Sequence, residues 1–352
     1  MLVGLISIAL GASLVAGLKL NDPCVTPLKV SGRCVPTREC DYATRILENP
    51  IVTKAQHRLL RDSVCGQIPG KPRKIPLICC PNQLNPVTCG SISTASRIVG
   101  GEPTELEDHP WNAVILYERR GKAIPNCGAS LISQRYVLTA AHCVVGLSSK
   151  QKLYQIRLSE WDTSSQSNCT EVEEEEICRQ NFEIEQVIPH PGYSTRNNKV
   201  VNDIALIRLS TDVEFTKFAK PICLPLDQEI GERPIEGEHL TVIGRGLTEN
   251  QNSSNFLRSV ELMGQSHEQC NKNLARINVA LEETQLCVGG EEGKDSCKGD
   301  SGGPLMRFVN GIWFQVGVVS YGFKFCGTEG VPGIYTNVVK YLDWIKEVVG
   351  DK

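Results

Sequence analysis

The chain has 352 residues, of which 41% are hydrophobic, and it carries a formal net charge of −3. This length and hydrophobicity suffice for a packed core and for more than one domain. The small net charge gives no drive toward nucleic acid or an anionic membrane, so we expect neither as a partner. Sixteen Cys residues are an even number and too many for a reducing cytosol. They predict disulfides rather than zinc, because neither H-E-x-x-H nor paired C-x-x-C occurs.

Residues 1–17 are typical of a signal peptide. Leu2 to Leu18 is an apolar run too short to span a bilayer, and Val15 and Gly17 fit the positions that precede a cleavage site. The run has no basic side chain before it, so a membrane anchor is the alternative. No other segment of the sequence is long and apolar enough to span a membrane. We therefore expect the chain to be secreted.

A compact Cys-rich segment follows, with Cys residues at positions 24, 34, 40, 65, 79 and 80. Six cysteines permit fifteen pairings, and the spacing alone does not choose among them. A segment this small needs cross-links, because its own core would be marginal. The residues between Cys40 and Cys65 predict one short helix, because apolar side chains recur there.

Residues 81–97 are rich in Pro, Ser, Thr and Asn and show no apolar periodicity, which predicts a linker. The linker ends in Ser96-Arg97-Ile98-Val99-Gly100-Gly101, a basic residue followed by a small apolar run.

From Ile98 onward the pattern is one of short β-strands separated by polar, Gly or Pro turns. Many short strands of this kind predict an all-β fold of Greek-key barrels. The predicted strands cover residues 113–117, 129–132, 136–138, 203–209, 239–243 and 315–320. A helix closes the chain, with Asn337 as its cap and apolar residues at helical spacing up to Val349.

The sequence around Ser301 is typical of a nucleophile turn. Glycines at 299, 302 and 303 tolerate the backbone angles of a tight turn that exposes Ser301. This stretch also fits G-x-S-x-G, the nucleophile motif of α/β hydrolases.

The order of residues along the chain separates the two interpretations. An α/β hydrolase needs its histidine after the serine, whereas the last histidine here, His267, precedes Ser301. The order His, Asp, Ser is available instead, with His142 in T-A-A-H-C and Asp203 in D-I-A-L.

Together, T-A-A-H-C, D-I-A-L and G-D-S-G-G-P resemble the chymotrypsin-like serine proteases. The six-Cys segment resembles the clip domain of arthropod extracellular proteases. The chain is thus similar to arthropod clip-domain serine proteases of the trypsin branch, of the easter and prophenoloxidase-activating type. The resemblance covers nearly all of the chain after the signal. It implies a clip domain at 24–80, an activation linker at 81–97, and a protease domain at 98–352 made of two six-stranded β-barrels and a C-terminal helix.

The resemblance also implies the catalytic roles. His142, Asp203 and Ser301 would form the catalytic triad, and the N–H groups of Gly299 and Ser301 would form the oxyanion hole. The triad is complete, unlike that of the family's inactive homologues.

Activation and specificity follow from the same resemblance. Cleavage between Arg97 and Ile98 would free an amine that pairs with Asp300, and the basic residue before the bond implies a trypsin-like activating protease. Asp295 would form the floor of the specificity pocket and select Arg or Lys substrates. Gly322 and Gly333 match the walls of that pocket.

The implied disulfides leave no free thiol. They are Cys24–Cys79, Cys34–Cys65, Cys40–Cys80, Cys89–Cys223, Cys127–Cys143, Cys169–Cys178, Cys270–Cys287 and Cys297–Cys326. A disulfide common in trypsins between the Leu240 region and the Met306-Arg307 region is absent. Gly244-Arg245-Gly246 also departs from the usual G-W-G.

No cofactor is required by this chemistry, but structural calcium is an open alternative. Glu160-Trp161-Asp162-Thr163 resembles the start of the family's calcium loop, with Glu160 and Asp162 as the candidate ligands. Against it, Asn168 stands where relatives often carry an acid, and the acidic run at 173–176 reads equally as solvated surface. Asn168 and Asn252 begin glycosylation sequons.

The implied setting is an extracellular proteolytic cascade in a haemolymph-like fluid. The expected partners are protein substrates such as downstream zymogens or pro-ligands, an upstream trypsin-like activator, and a serpin inhibitor. Innate immunity, through prophenoloxidase activation and melanization or the Toll pathway, and dorsoventral development are both open. A venom or digestive trypsin is a second enzyme alternative. A binding or cofactor protein, whose clip domain does the work, is the alternative of another class.

Overall fold

The computed structural model divides into two compact units, residues 1–82 and 83–352. It describes residues 18–20, 22–27, 31–48, 52–68, 76–81, 84–86, 88–92, 107–160, 162–164, 167, 169–172, 175–195, 199–246, 254–275, 279–292, 300–322 and 328–350. Across these residues, no helix has both the length and the apolar character needed to cross a membrane.

The first unit is a four-stranded antiparallel sheet with two helices. Its strands are β1 Pro23–Val25, β2 Ser31–Pro36, β3 Val64–Gln67 and β4 Pro76–Pro81, in the order β1-β2-β4-β3, and its helices are α1 Asp41–Glu48 and α2 Lys54–Asp62. Two helices therefore stand where the sequence predicted one. The buried core is small, with Cys40, Ala43 and Ile78 at its centre. Three disulfides hold the unit together: Cys24–Cys79, Cys34–Cys65 and Cys40–Cys80.

The described residues of the segment predicted as a linker, 84–86 and 88–92, make defined contacts within the second unit. Leu84 is buried in the core of the second unit. The Asn85 side chain both donates to the Leu224 carbonyl and accepts from the Leu224 N–H, each at 2.7 Å. Cys89 is bonded to Cys223, and the Gly90 carbonyl accepts from the Trp313 N–H at 2.9 Å. The described part of the segment, up to residue 92, is thus fixed to the second unit.

The second unit begins with a closed barrel of six antiparallel strands in the order β11-β12-β7-β6-β5-β8. Its strands and an attached hairpin, β9-β10, are β5 Asn112–Arg119, β6 Lys122–Leu131, β7 Tyr136–Thr139, β8 Lys152–Leu158, β9 Cys169–Val172, β10 Glu175–Cys178, β11 Gln180–Pro189 and β12 Ala205–Leu209. Apolar side chains of these strands, such as Ile115, Leu138 and Ile156, are fully buried and form one core. Burial of this many aliphatic side chains is the main source of stability.

The other six strands form a sheet in the order β14-β13-β16-β17-β18-β15. They are β13 His239–Gly244, β14 Arg258–Met263, β15 Gln285–Val288, β16 Pro304–Val309, β17 Ile312–Tyr321 and β18 Gly333–Asn337. Within the part of the chain that the structure describes, its two edges are joined by one isolated bridge, between Gly264 and Val288, so the closure is looser than in the first barrel. The architecture confirms the predicted all-β fold.

Helices are few in the second unit. The described ones are α3 Gln228–Gly231, α4 His267–Leu274 and the terminal α5 Leu342–Val349. The Asn337 side chain accepts from the Val339 N–H at 3.2 Å, so it caps a 3-10 turn over Val338–Tyr341 that leads into α5. Ile345 and Val349 are buried on the core-facing side of α5.

A buried ion pair stands where many trypsins have a disulfide. The Arg307 side chain is 1% exposed, and its Nε lies 2.8 Å from Glu238 Oε2. Its Nη1 donates to the Ile230 carbonyl at 2.6 Å. Every bond that this buried charge makes is charge-assisted, which compensates its desolvation.

Candidate active site

His142 is presented by a short turn directly after β7. The turn is a 3-10 segment, Ala141–Cys143, in which both flanking residues are buried. The disulfide Cys127–Cys143 fastens it to β6. The residues on either side of the imidazole are thus held in the core, whereas the imidazole itself is 31% exposed and faces solvent in part.

Asp203 lies just before β12 and meets the imidazole from the interior. Its carboxylate is 2% exposed. The Asp203 Oδ2 atom lies 2.8 Å from His142 Nδ1, and Oδ1 accepts from the His142 backbone N–H at 2.9 Å. These two contacts orient the ring and select the tautomer that carries its proton on Nδ1, which leaves Nε2 to act as a base.

Two hydroxyl groups of the second sheet hold Asp203 in place. Ser320 Oγ donates to Asp203 Oδ2 at 2.5 Å, and Thr336 Oγ1 donates to the Asp203 carbonyl at 2.7 Å. Burial, together with the negative charge of Asp203, raises the pKa of nearby Tyr193 to about 12. The buried carboxylate thus accepts from two neutral donors, the Ser320 hydroxyl and the His142 backbone N–H, beside its contact with the imidazole.

Ser301 lies on a tight turn that packs against the histidine turn. Gly302 has a φ of +80°, and a Cβ there would overlap Thr139 Oγ1 and the Gly128 carbonyl. The Gly128 N–H donates to the Ser301 carbonyl at 2.8 Å. Only glycine at 302 lets the nucleophile turn approach the strands that carry His142 this closely.

Within the described residues, no hydrogen bond joins Ser301 Oγ to His142 Nε2. The Nε2 atom lies 3.6 Å from Cys143 Sγ. In free enzymes the bond between nucleophile and base is often long and tightens when substrate binds. The structure places His142 beside Asp203 and puts the Ser301 turn next to the turn that carries His142.

Asp300, the neighbour of the nucleophile, is buried against a glycine-flanked turn. Its Oδ1 accepts from the Gly246 N–H at 2.6 Å. A methyl group at either Gly244 or Gly246 would overlap the Asp300 carboxylate. A cavity of about 310 Å³ borders this carboxylate, and Gly128 and Arg245 also line it.

Several predicted site residues lie outside the described residues. They are Arg97, Ile98, Asn168, Asn252, Asp295, Gly299 and the pair Cys297 and Cys326. Of the predicted pocket walls, Gly322 follows β17 and Gly333 begins β18, two neighbouring strands. The remaining two predicted disulfides, Cys169–Cys178 and Cys270–Cys287, join described residues.

The two candidate calcium ligands are differently placed. Glu160 is buried, and both of its carboxylate oxygens accept from arginines, Arg157 and Arg179. Asp162 accepts from the Ser164 N–H and hydroxyl, and the hydroxyl bond is the main cause that lowers the pKa of this carboxyl.

Sequence reasoning missed the residues that support the site. Ser320 and Thr336 are uncharged and lie in mostly buried parts of their strands, so no local pattern marks them. The only sequence signal for Arg245 was that Gly244-Arg245-Gly246 departs from the usual G-W-G.

Comparisons with known proteins agree with this geometry. The trypsin family model matches residues 98–345, and the model of the regulatory CLIP domain of proteinases matches residues 24–80. CLIP domain-containing serine protease B15 of Anopheles gambiae is 46% identical over 97% of this chain and 94% of its own. Melanization protease 1 of Drosophila melanogaster is 35% identical over 97% and 96%.

A solved structure is similar along the same length. The crystal structure of the Drosophila Grass clip serine protease of the Toll pathway matches with a TM-score of 0.64 and 33% identity, over 94% of this chain and 98% of that one. With family models matching both segments and relatives covering nearly the whole chain, the chain belongs to the trypsin family of serine proteases, in the group that carries an amino-terminal CLIP domain.

Proposed function

We propose that the chain is the secreted zymogen of a serine endopeptidase that is activated between Arg97 and Ile98 and cuts after arginine or lysine. The observation that carries the proposal is the buried Asp203 carboxylate, held by neutral donors and aimed at His142 Nδ1 at 2.8 Å. A histidine with a buried carboxylate on one nitrogen and an open face on the other is built to move a proton.

The chemistry follows from these positions. Ser301 Oγ forms a bond to the scissile carbonyl carbon as its proton passes to His142 Nε2, and the carbonyl oxygen takes the negative charge. The Ser301 N–H, with that of Gly299, would stabilise this oxyanion, and one such donor is worth about 10²–10³ in rate. The imidazolium then gives its proton to the leaving amine, and the acyl-enzyme forms. Water, activated by the same imidazole, hydrolyses the acyl-enzyme and restores Ser301.

Asp300 supports control by cleavage. A new amine at Ile98 is largely protonated near neutral pH and needs a buried counter-charge. Asp300 is buried beside a cavity of about 310 Å³, which offers both the charge and the room. Losing one partner of a buried charge pair typically costs about 3–5 kcal/mol, enough to misplace the oxyanion turn in the uncut chain.

Specificity for basic residues is proposed from Asp295. A carboxylate at the bottom of a narrow pocket selects Arg or Lys by a charge-assisted bond. Among the described residues, no atom lies within 4 Å of the position that a Cβ at Gly322 would take. A long substrate side chain therefore has room to pass this wall.

The proposed setting is an extracellular cascade of innate immunity. A relative named for melanization and a solved relative named for the Toll pathway both span nearly the whole chain, and they support this choice. Downstream zymogens, an upstream trypsin-like activator and a serpin inhibitor are the partners that this role requires. The role also requires secretion, with removal of residues 1–17.

Labelling of the active site tests the activity. The full-length secreted protein would be cut with trypsin, its new amino terminus sequenced, and the product incubated with a biotinylated phosphonate that carries an arginine side chain. We expect a terminus at Ile98 and labelling at Ser301 only after the cut. Hydrolysis of arginine, lysine and phenylalanine amide substrates would be measured in parallel.

Three variants serve as controls. Ser301→Ala should be cut but not labelled, and Arg97→Gln should be neither cut at that bond nor labelled. Asp295→Ser should keep phosphonate labelling by a small, uncharged probe and lose the preference for basic substrates. A correctly cut protein that no serine-reactive phosphonate labels would contradict the proposal and favour a clip-domain binding protein.

A further inference from the structure

The loop that follows β8 contains a buried carboxylate with two arginine partners. Glu160 is 4% exposed. Its Oε1 lies 2.9 Å from Arg179 Nε, and its Oε2 lies 2.9 Å from Arg157 Nη1. Both guanidinium groups are largely shielded from solvent, so these pairs are screened less than surface ion pairs.

A third guanidinium completes the cluster from the second sheet. Arg245 Nη2 donates to the Glu160 carbonyl, and Arg179 Nη2 donates to the Asp162 carbonyl at 2.5 Å. Burial lowers the pKa of Arg245 to about 10, and the charges of Glu160 and Asp300 oppose that fall, so the group stays protonated at neutral pH. Two guanidinium groups therefore contact the buried Glu160 carboxylate, and a third contacts the backbone carbonyl of the same residue.

This donor set does not fit calcium. The ion takes six to eight oxygen ligands at about 2.3–2.6 Å. Here both carboxylate oxygens of Glu160 already accept from guanidinium groups, and so do the carbonyls of Glu160 and Asp162. A divalent cation would also enter a cluster that already holds three guanidinium groups, those of Arg157, Arg179 and Arg245.

The same cluster reaches the turn that holds Asp300. Arg245 stands between Gly244 and Gly246, the two glycines against which the Asp300 carboxylate rests. The Gly246 N–H donates to Asp300 Oδ1 at 2.6 Å. The Glu160 loop is joined to the second sheet at further points, since Thr163 N–H donates to the Asn255 carbonyl at 3.0 Å.

We propose that Glu160 is a positioning residue for the nucleophile turn and that arginine side chains, rather than calcium, are its counter-cations. It acts through Arg245, whose backbone neighbours fix the Asp300 carboxylate beside Ser301. The inference rests on the proposed endopeptidase activity, because the reactivity of Ser301 is its readout.

The test uses the full chain, cut at Arg97, and the rate of phosphonate labelling at saturating probe. Glu160→Gln keeps the shape of the side chain but leaves the guanidinium groups without their counter-charge. We expect the labelling rate to fall about 10–100-fold, because small displacements of catalytic groups have effects of this size. Arg245→Gln should lower the rate in the same way, and Arg245→Lys should restore part of it.

Arg135→Gln is the matched control. Arg135 is as buried as Arg179 and pairs with two carboxylates, Glu185 and Asp212, on the first barrel. Its loss should lower the melting temperature and leave the labelling rate within about twofold of the parent, since it makes no described contact with the nucleophile turn. Equal effects of Arg135→Gln and Arg245→Gln on labelling would reduce Glu160 to a structural role and overturn the proposal.

A second measurement tests whether the chain binds calcium. The melting temperature of the parent chain should be the same in millimolar calcium and in EGTA, and tryptophan-sensitised terbium luminescence should not appear. A rise in melting temperature with calcium overturns the choice of counter-cation. If the cut parent chain is not labelled at all, the proposed activity fails, whereas labelling of the parent with unchanged labelling of Glu160→Gln and Arg245→Gln rejects this inference alone.

Discussion

Two histidines of the second unit show what separates a catalytic imidazole from a buried one. His142 is partly exposed and has a carboxylate 2.8 Å from Nδ1. His109 is 3% exposed, and among the described residues neither of its ring nitrogens has a hydrogen-bond partner. It lies edge-on to two indole rings, with centroid distances of 5.6 Å to Trp111 and 5.8 Å to Trp313.

The difference is one of solvation and partnership. Burial without a partner lowers the pKa of His109 to about 3, so this ring stays neutral and acts as an aromatic packing group. The buried carboxylate beside His142 and its partly exposed ring fit the proposed role of this residue in proton transfer. A histidine in a protein core is therefore no sign of catalysis unless its partners are known.

The sharpest test removes the partner of His142. Asp203→Asn cannot stabilise the imidazolium and favours the wrong tautomer. We expect kcat of the cut enzyme to fall about 10⁴-fold, the loss known for the corresponding change in chymotrypsin-like proteases. Steady-state kinetics with an arginine amide substrate measures it.

The fold of Asp203→Asn should be retained, since Ser320 and Thr336 still meet the side chain and backbone at 203. Near-UV circular dichroism is the control. A loss of less than about tenfold would mean that His142 works without its carboxylate, and the contrast with His109 would fail.

The next test concerns His109. Its pKa in the fold is about 3, below the ordinary value of 6.5 for histidine, so between these pH values the unfolded chain binds a proton that the native chain does not bind. The stability from this group is complete above pH 6.5 and falls as the pH drops toward 3. Between about pH 7 and about pH 5 we expect a loss of about 2 kcal/mol that His109→Phe abolishes.

Urea unfolding at the two pH values measures this loss. The exposed His239→Gln is the control and should show the same pH dependence as the parent chain. An equal loss in His109→Phe would show that the buried ring is not the source of the acid sensitivity.

The smallest expected effect comes from Ser320. Ser320→Ala removes one neutral donor from Asp203 Oδ2 and leaves the two contacts to His142. A single hydrogen bond of this kind contributes about 1 kcal/mol, so kcat/KM should fall about fivefold. Val318→Ala, in the same strand, separates this effect from a packing defect, since it should lower the melting temperature more than the rate.

Much of the fold and the central chemistry could be predicted from the sequence, because the signals are local. The strands, the nucleophile turn and the histidine motif each lie within a few consecutive residues. The order of His142, Asp203 and Ser301 was enough to reject an α/β hydrolase.

The supporting groups could not be predicted, because their contacts are distant in sequence. Ser320 lies 117 residues from Asp203, and Arg245 lies 85 residues from Glu160. Nothing in the local pattern indicates that the arginine at 245 donates to the backbone carbonyl of Glu160. The contacts of Asn85 with Leu224 could not be predicted either, because the two residues lie 139 positions apart.

The attachment of residues 84–92 to the rest of the second unit affects where the protease is held after cleavage. If the chain is cut at Arg97, the Cys89–Cys223 bond and the paired Asn85 contacts keep both products in one particle. Any surface that captures the small amino-terminal unit then concentrates the hydrolase at the same place, as a tether raises effective concentration. Cleavage would thus activate the protease while the protease domain stays attached to the surface that holds the amino-terminal unit.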